Sequence, residues 1–344
     1  LSEAKGKSPE IGSAGGFNSM ELVRKTLTFS GPERIPRQFL IWNEAGKKLP
    51  DGIHRLKEAY PEDLVFCPTY YFEPQARGLF LKDDIYFDEW GCRYQVRPDG
   101  SAGMLFSSPL SDRSDFRNFS FPEKRLNLDL DKINNFCKHS DRFVLAPALV
   151  RPFEQLQALR SPERAFLDLH QQSRSLFKFL GKLHHFFLKE LTAWAKTEVD
   201  ALVVADDWGS QSDLLISPAL WRQVFKPLYA DYGKIARDNG KFFFFHSDGF
   251  ILEIIEDLIE IGVQALNLQL SCYHLVELSR LINSRITLWG GFDLQMINSL
   301  PLDRLREKVI LIKKLFVSAG GLIAALEIGK EIYPENIQLI LSLI

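Results

Sequence analysis

From Glu21 onward, short apolar runs alternate with longer amphipathic stretches, the order that builds a parallel sheet covered by helices. Eight runs stand out: Arg37 to Trp42, Asp63 to Pro68, Arg142 to Leu149, Ala201 to Trp208, Lys241 to Asp248, Ala265 to Gln269, Ile286 to Phe292 and Gly321 to Glu327. Eight is the strand count of a closed (β/α)8 TIM barrel. From Arg142 each run is followed by a helix-like segment, such as Pro218 to Asn239 and Gly249 to Ile261. Gly240 and Gly262 sit where helix C-caps fall. Residues 84 to 125, between the second and third runs, break the pattern. There IYFDEWGCRYQVRPDGSAGMLFSS alternates as strands around a Pro-Asp-Gly turn, which predicts an inserted antiparallel hairpin over one barrel mouth. A doubly wound open sheet would alternate in the same way. It is disfavoured because no G-x-G-x-x-G follows the first run and no G-x-x-x-x-G-K-[ST] occurs in the chain.

The first 19 residues are rich in Gly, Ser, Lys and Glu and carry no apolar period, so residues 1–19 read as a mobile leader and Met20 as the natural start. Residues 20–344 read as a single domain without repeat or linker. At 46% hydrophobic, 25% charged and 12% aromatic, the composition is that of a soluble globular chain. Lys plus Arg number 42 against 44 Asp plus Glu, so there is no global basic field for nucleic acid or an anionic membrane, and the expected partner is a small molecule. Four scattered cysteines and the lack of an apolar h-region point to a reducing, cytoplasmic setting. Apolar runs such as Phe242 to Phe245 are far shorter than the roughly 20 residues that span a bilayer.

In a barrel of this kind the chemistry lies at the carboxyl ends of the strands. The fourth run closes in Asp206-Asp207-Trp208-Gly209-Ser210-Gln211, the fifth in His246-Ser247-Asp248-Gly249, the sixth in Asn267 and Gln269, the seventh in Asp293 and the eighth in Glu327. His246 and Asp248, two apart on a strand, face the same side and can converge on one ion or substrate atom. With Glu327 they suit a divalent cation such as zinc, leaving a position open for substrate. The plainer alternative is a histidine hydrogen-bonded to Asp248 or Asp206. Asp206 and Asp207 are adjacent and point to opposite sides of a strand, so one of them caps a helix or pairs elsewhere unless the strand has already turned. Glu327 has a simpler reading too, as a surface partner of Lys330. Trp90 is expected to pack over its own hairpin, and Cys92 and Cys272 to be hydrophobes or idle thiols, since neither has a histidine two residues away.

These phrases, with Leu215-Ile216-Ser217-Pro218, Trp221-Arg222, Phe225-Lys226-Pro227, Phe87 to Cys92 and Pro334 to Asn336, resemble the uroporphyrinogen decarboxylase superfamily. The likeness is greatest to its branch related to cobamide-dependent methyltransferases, and it runs from about Met20 to Asn336. The resemblance implies a (β/α)8 barrel and one of two chemistries. The decarboxylases hold tetrapyrrole carboxylates with the arginines of an R-Q-A-G-R-Y-L-P segment. The matching stretch here, Asn43 to Pro50, has Asn43 and Lys47 in those places, so bidentate clamping is lost. Asp63 matches the aspartate that contacts the pyrrole nitrogens, and Ala325 to Gly329 replaces an N-L-G-H-G motif without its histidine. The methyltransferases hold zinc through H-x-C and a later cysteine and activate a thiol for methyl transfer from a corrinoid. His246 fits the first position, Asp248 replaces the first cysteine and Leu326 the second.

The resemblance therefore implies a methyltransferase or demethylase working with a corrinoid. His246, Asp248 and Glu327 would hold zinc or another divalent metal, or the substrate heteroatom. Asp206 or Asp207 would act as a base behind them, and Asn43, Lys47, Asp63, Trp208, Gln211, Asn267 and Gln269 would line the substrate. Expected partners are a small-molecule substrate, a corrinoid protein and a second copy in a homodimer. The alternatives are tetrapyrrole decarboxylation through Asp63 and Lys47, and a barrel that binds a small molecule without catalysis.

Overall fold

The computed structural model describes residues 18–41, 50–72, 79–80, 85–96, 103–111, 116–147, 149–329 and 333–344. Asn43, Lys47 and Lys330 lie outside these residues, as does most of the expected leader. Asn18 and Ser19, read from sequence as the leader's end, belong to the fold: the Asn18 carboxamide caps the helix Ser19–Leu27 by accepting from the Met20 and Glu21 amides.

Each of the eight apolar runs supplies one strand of a single parallel sheet. In chain order these are β1 (Arg37–Ile41), β2 (Leu64–Phe66), β7 (Phe143–Leu145), β8 (Ala201–Ala205), β9 (Phe242–Ser247), β10 (Ala265–Leu268), β11 (Thr287–Phe292) and β12 (Leu322–Ile328). They pair in the order β1-β12-β11-β10-β9-β8-β7-β2. The ends of the sheet meet where the Asp63 amide donates to the Arg37 carbonyl at 2.8 Å, which makes the sheet a nearly closed (β/α)8 barrel.

Strand alternation sorts the side chains. Phe143, Ala201, Val203, Phe244, Ala265, Trp289, Ile323 and Ala325 fill the barrel interior. Their neighbours Val144, Leu202, Val204, Phe243, Phe245, Leu266, Ala324 and Leu326 pack outward under the helices. Val23 and Leu27 of the first helix close the amino-terminal end. Carried two residues on from Phe244, Ala265 and Ala325, the inward row delivers His246, Asn267 and Glu327 to the carboxyl-terminal mouth.

The insertion is antiparallel, as its alternation predicts, and extends the hairpin of β4 (Ile85–Phe87) and β5 (Arg93–Gln95) with a strand on either side, β3 (Leu79–Phe80) and β6 (Leu105–Ser107). The Asp88 carboxylate holds the turn between β4 and β5 by accepting from the Trp90 and Cys92 amides, at 3.0 and 2.7 Å. Pro98-Asp99-Gly100 lies outside the described residues. Trp90 is buried against the barrel's longest described helix, Arg174–Ala195, with ring centroids 5.2 and 5.7 Å from Phe186 and Phe187, instead of over its own sheet. Arg125 lies over the Trp90 ring and joins the same helix through Glu190 at 2.7 Å and the insertion through Glu89 at 3.2 Å. Among the described residues no helix is long and apolar enough to cross a membrane.

Arg125 and Glu190 are both buried, so removing one partner strands the other's charge. Arg125→Leu is expected to cost about 3–5 kcal/mol in denaturant unfolding. Unchanged stability would show that the insertion is held by its aromatic packing alone.

Candidate active site

The loops after β8 and β9 touch backbone to backbone. The Gly209 amide donates to the Asp248 carbonyl at 3.2 Å, and the Phe250 amide to the Ser210 carbonyl at 2.7 Å. A Cβ on Gly249 would lie 2.2 Å from the Gly209 oxygen, and one on Gly209 would lie 2.2 Å from the Phe250 nitrogen. Gly249 also has φ +76°, a conformation that side chains resist. Glycine at both positions therefore lets the loops close, and closure brings Asp207 beside Asp248, whose amide donates to Asp207 Oδ1 at 2.9 Å.

The adjacent carboxylates divide the work, as their alternation requires. Asp206 is fully buried and points away from the mouth. Its Oδ2 accepts from the Phe153 amide at 2.8 Å and the Tyr229 hydroxyl at 2.6 Å, and its Oδ1 from the Glu154 amide at 2.8 Å. It thereby caps the helix Pro152–Arg160, whose own flanking residue Arg151 makes no side-chain cap. Burial, then the charge of Glu154, push its pKa well above the usual range, and the three donors oppose that rise. Trp208 stands behind it, donating to the Tyr229 hydroxyl at 2.8 Å and stacked 3.9 Å from Phe153. Asp206 and Trp208, expected as base and substrate contact, thus build the wall of the site.

His246 enters the mouth from β9. Its Nδ1 lies 2.7 Å from Asn267 Oδ1, while Asn267 Nδ2 donates to the Trp289 carbonyl at 2.6 Å. That carbonyl can only accept, so the amide orientation is fixed and Nδ1 must carry a proton. Nε2 is left facing Asp207 at 3.5 Å and Asp248 at 3.8 Å. Room for the Asn267 amide comes from Gly290, where a Cβ would approach Nδ2 to 2.7 Å. One donor atom from each of Asp207, His246 and Asp248 lies within 4.8 Å of the other two.

The electrostatics of this group are those of an acidic pocket with one base. Burial lowers the His246 pKa, but the hydrogen bond and charge of Asp207, with the charge of Asp248, outweigh it and raise the pKa to about 9. Burial acts upward on Asp207, and the His246 bond overrides it to a net lowering. Asp248 is raised, chiefly by burial. Glu154 is raised by burial and then by Asp207, and Glu327 by burial, with Asp248 and Asp293 adding. Asp293 Oδ1 caps the helix Leu294–Ser299, while its buried Oδ2 has no hydrogen-bond partner. Excess negative charge, an unmatched carboxylate oxygen and a histidine nitrogen turned toward two carboxylates fit a divalent cation.

The other expected residues are placed as follows. Glu327 faces inward but stands outside the group of three, its Oε2 accepting the Leu294 amide at 3.2 Å. Leu326, matched to a family cysteine, packs outward in the helix layer, because neighbours on a strand take opposite faces. Gln269 accepts the Gly249 amide at 3.3 Å. Gln269 and Gln211 both lie near the half-buried Cys272 thiol, at 3.6 and 3.7 Å, so this cysteine belongs to the mouth. Asp63 precedes β2 and so lies at the opposite end of the barrel. There it takes both Arg34 nitrogens at 2.6 Å and the Ser19 hydroxyl at 2.8 Å, which makes it part of the barrel's closure. Sequence reasoning missed Glu154 and Arg151, whose positive charge acts to lower the pKa of Asp207 and of Glu154. Both follow the third barrel strand around the start of a helix, and that position at the mouth was the available signal.

The sequence model of the family described as "Uroporphyrinogen decarboxylase (URO-D)" matches residues 72–342. Among solved structures, a methyltransferase from Methanosarcina mazei aligns with a TM-score of 0.64 at 15% identity, covering 95% of this chain and 98% of that one. An endo-beta-1,4-xylanase from Gloeophyllum trabeum aligns with a TM-score of 0.45 at 10% identity, over 92% of this chain and 98% of its own. No match is found among curated proteins. At 15% identity the likeness to the methyltransferase speaks to the fold alone, whereas the sequence match spans the insertion, the site loops and the last strand. The chain belongs to the uroporphyrinogen decarboxylase (URO-D) family.

Proposed function

We propose that this barrel moves a methyl group between a small substrate and a corrinoid, with a divalent cation held by Asp207, His246 and Asp248. The observation that carries the reading is the grouping of these three donors around a nitrogen whose partner across the ring is fixed by Asn267. Fold likeness to a methyltransferase supports it. When bound, such a cation supplies Lewis acidity that lowers the pKa of the substrate heteroatom losing or gaining the methyl group. One nitrogen and carboxylate oxygens make a harder donor set than the thiolates of the related enzymes, so the heteroatom need not be sulfur.

The chain's own residues do the rest. Asn267 keeps His246 in one tautomer, which directs Nε2 at the substrate side. Asp207, held by the Asp248 amide and kept ionised by His246, offers a charged oxygen to the cation, and the proton that His246 loses on binding it goes to solvent. Glu154, Glu327 and Asp293 keep the field negative, favouring a cation and opposing an anionic leaving group that stays. Tetrapyrrole decarboxylation is less well supported: a polyanionic substrate would face this acidic mouth, and Asp63 is already engaged by Arg34 at the far end.

Elemental analysis after dialysis against a weak chelator is expected to find close to one equivalent of divalent metal in the wild type and none in His246→Ala or Asp207→Asn, each checked for folding by circular dichroism. Asn267→Ala should weaken metal affinity by about 10–100-fold, the usual effect of losing a residue that orients a ligand. A metal-free wild type that gains none on titration would overturn the reading.

A pH series gives a second check. Without metal, the raised His246 pKa stabilises the fold fully below its ordinary value of 6.5, and this contribution is lost as pH rises through about 9. The thermal midpoint of the metal-free chain should therefore fall across that window, while His246→Gln flattens the profile. Metal uptake should release a proton and tighten with rising pH over the same range. A midpoint independent of pH would show that Asp207 does not hold the imidazolium.

A further inference from the structure

A groove of about 860 Å³ that shares no lining residue with the candidate site lies between the long helix Arg174–Ala195 and the segment 116–118. Arg117 comes from one wall and Arg174, Lys178 and Lys182 from the other, and among the described residues no carboxylate lines it. All four cations are exposed, and none makes an ion pair or side-chain hydrogen bond among the described residues. The floor is apolar, formed by the buried rings of Phe116 and Phe179, stacked 5.0 Å apart.

This arrangement works against the helix that carries it. Arg174, Lys178 and Lys182 follow one another at intervals of four, so like charges face each other along the surface, a destabilising pattern. Arg174 also opens the helix, whose first turn has no acidic residue, although the helix dipole favours negative charge there. The helix's one carboxylate, Glu190, is turned inward to Arg125 and relieves none of this. In a chain with a formal net charge of -2, four cations gathered on two facing elements are a local feature with no folding benefit.

We infer that the groove binds a small organic polyanion rich in phosphoryl groups. A ligand must carry several negative charges to satisfy both walls at once, and phosphoryl groups concentrate that charge within a volume of this size. The concavity favours a small molecule over an acidic protein surface, since the volume falls within the usual range of small-molecule sites. Asn118 and Ser175 add polar groups that hydrogen-bond phosphoryl oxygens or the organic portion.

The test is isothermal titration of the full chain with inorganic tripolyphosphate at low salt, beside inorganic monophosphate and an oligoglutamate peptide. The expected result is one saturable site per chain, weakened at least tenfold in Lys178→Gln/Lys182→Gln and unchanged in Lys314→Gln, a substitution on the distant helix Leu302–Phe316. Affinity should fall as salt rises, and monophosphate should bind at least tenfold more weakly. No saturable binding, or equal binding by the double variant, would overturn the inference. Tighter binding of oligoglutamate than of tripolyphosphate would also overturn it and assign the groove to an acidic protein partner. These residues lie outside the mouth, so retention of metal by the double variant separates failure here from failure of the catalytic reading.

Discussion

The mouth of this barrel depends on one buried carboxylate. Asp206 has left water entirely, and a carboxyl group is tolerated in that position because three donors converge on it: two amides from the start of the helix after the third barrel strand and the hydroxyl of Tyr229. The bonds join the third and fourth βα units at a single point. They also decide the direction of the next residue, since a chain that commits Asp206 to the wall presents Asp207 to the pocket. The indole of Trp208 continues the network through Tyr229, so three consecutive residues serve the wall, the pocket and the wall again.

Around that point the molecule concentrates like charge. Glu154, Asp207, Asp248, Asp293 and Glu327 arrive from different strands or the loops that follow them, with His246 as the base among them. The price of assembling them is visible in the upward pKa of Glu154, Asp248 and Glu327, each chiefly through burial. A fold gains nothing by gathering acids in a concave, partly dry space, so the gathering is a statement about what the space receives. Close backbone contact at Gly209 and Gly249 supplies the compression, and Gly290 supplies the clearance for the amide that orients the histidine.

Much of this was legible in the sequence. The strand number and positions followed from the count and spacing of apolar runs, because burial on both faces leaves parallel strands nearly continuous in hydrophobicity. The convergence of His246 and Asp248 and the divergence of Asp206 and Asp207 followed from the alternation of side chains along a strand. What alternation could not say was which aspartate turned inward, since that depends on contacts with Phe153 and Tyr229, far away in the chain. Glu154 was hidden for a similar reason, its approach to Asp207 being set by neighbouring strands. Asp63 shows the opposite error: a short local likeness suggested substrate binding, whereas its place before a strand puts it at the other end of the barrel, where Arg34 neutralises it. The antiparallel insertion was legible as well, though alternation does not fix how many times the chain reverses, so its outer strands were not.

The helix Ser19–Leu27 seats Val23 and Leu27 beneath the barrel, and with the packed interior it makes a sealed floor. The vessel is blind-ended. A ligand seated at the mouth enters and leaves by the same side, and of two ligands the deeper is the first in and the last out.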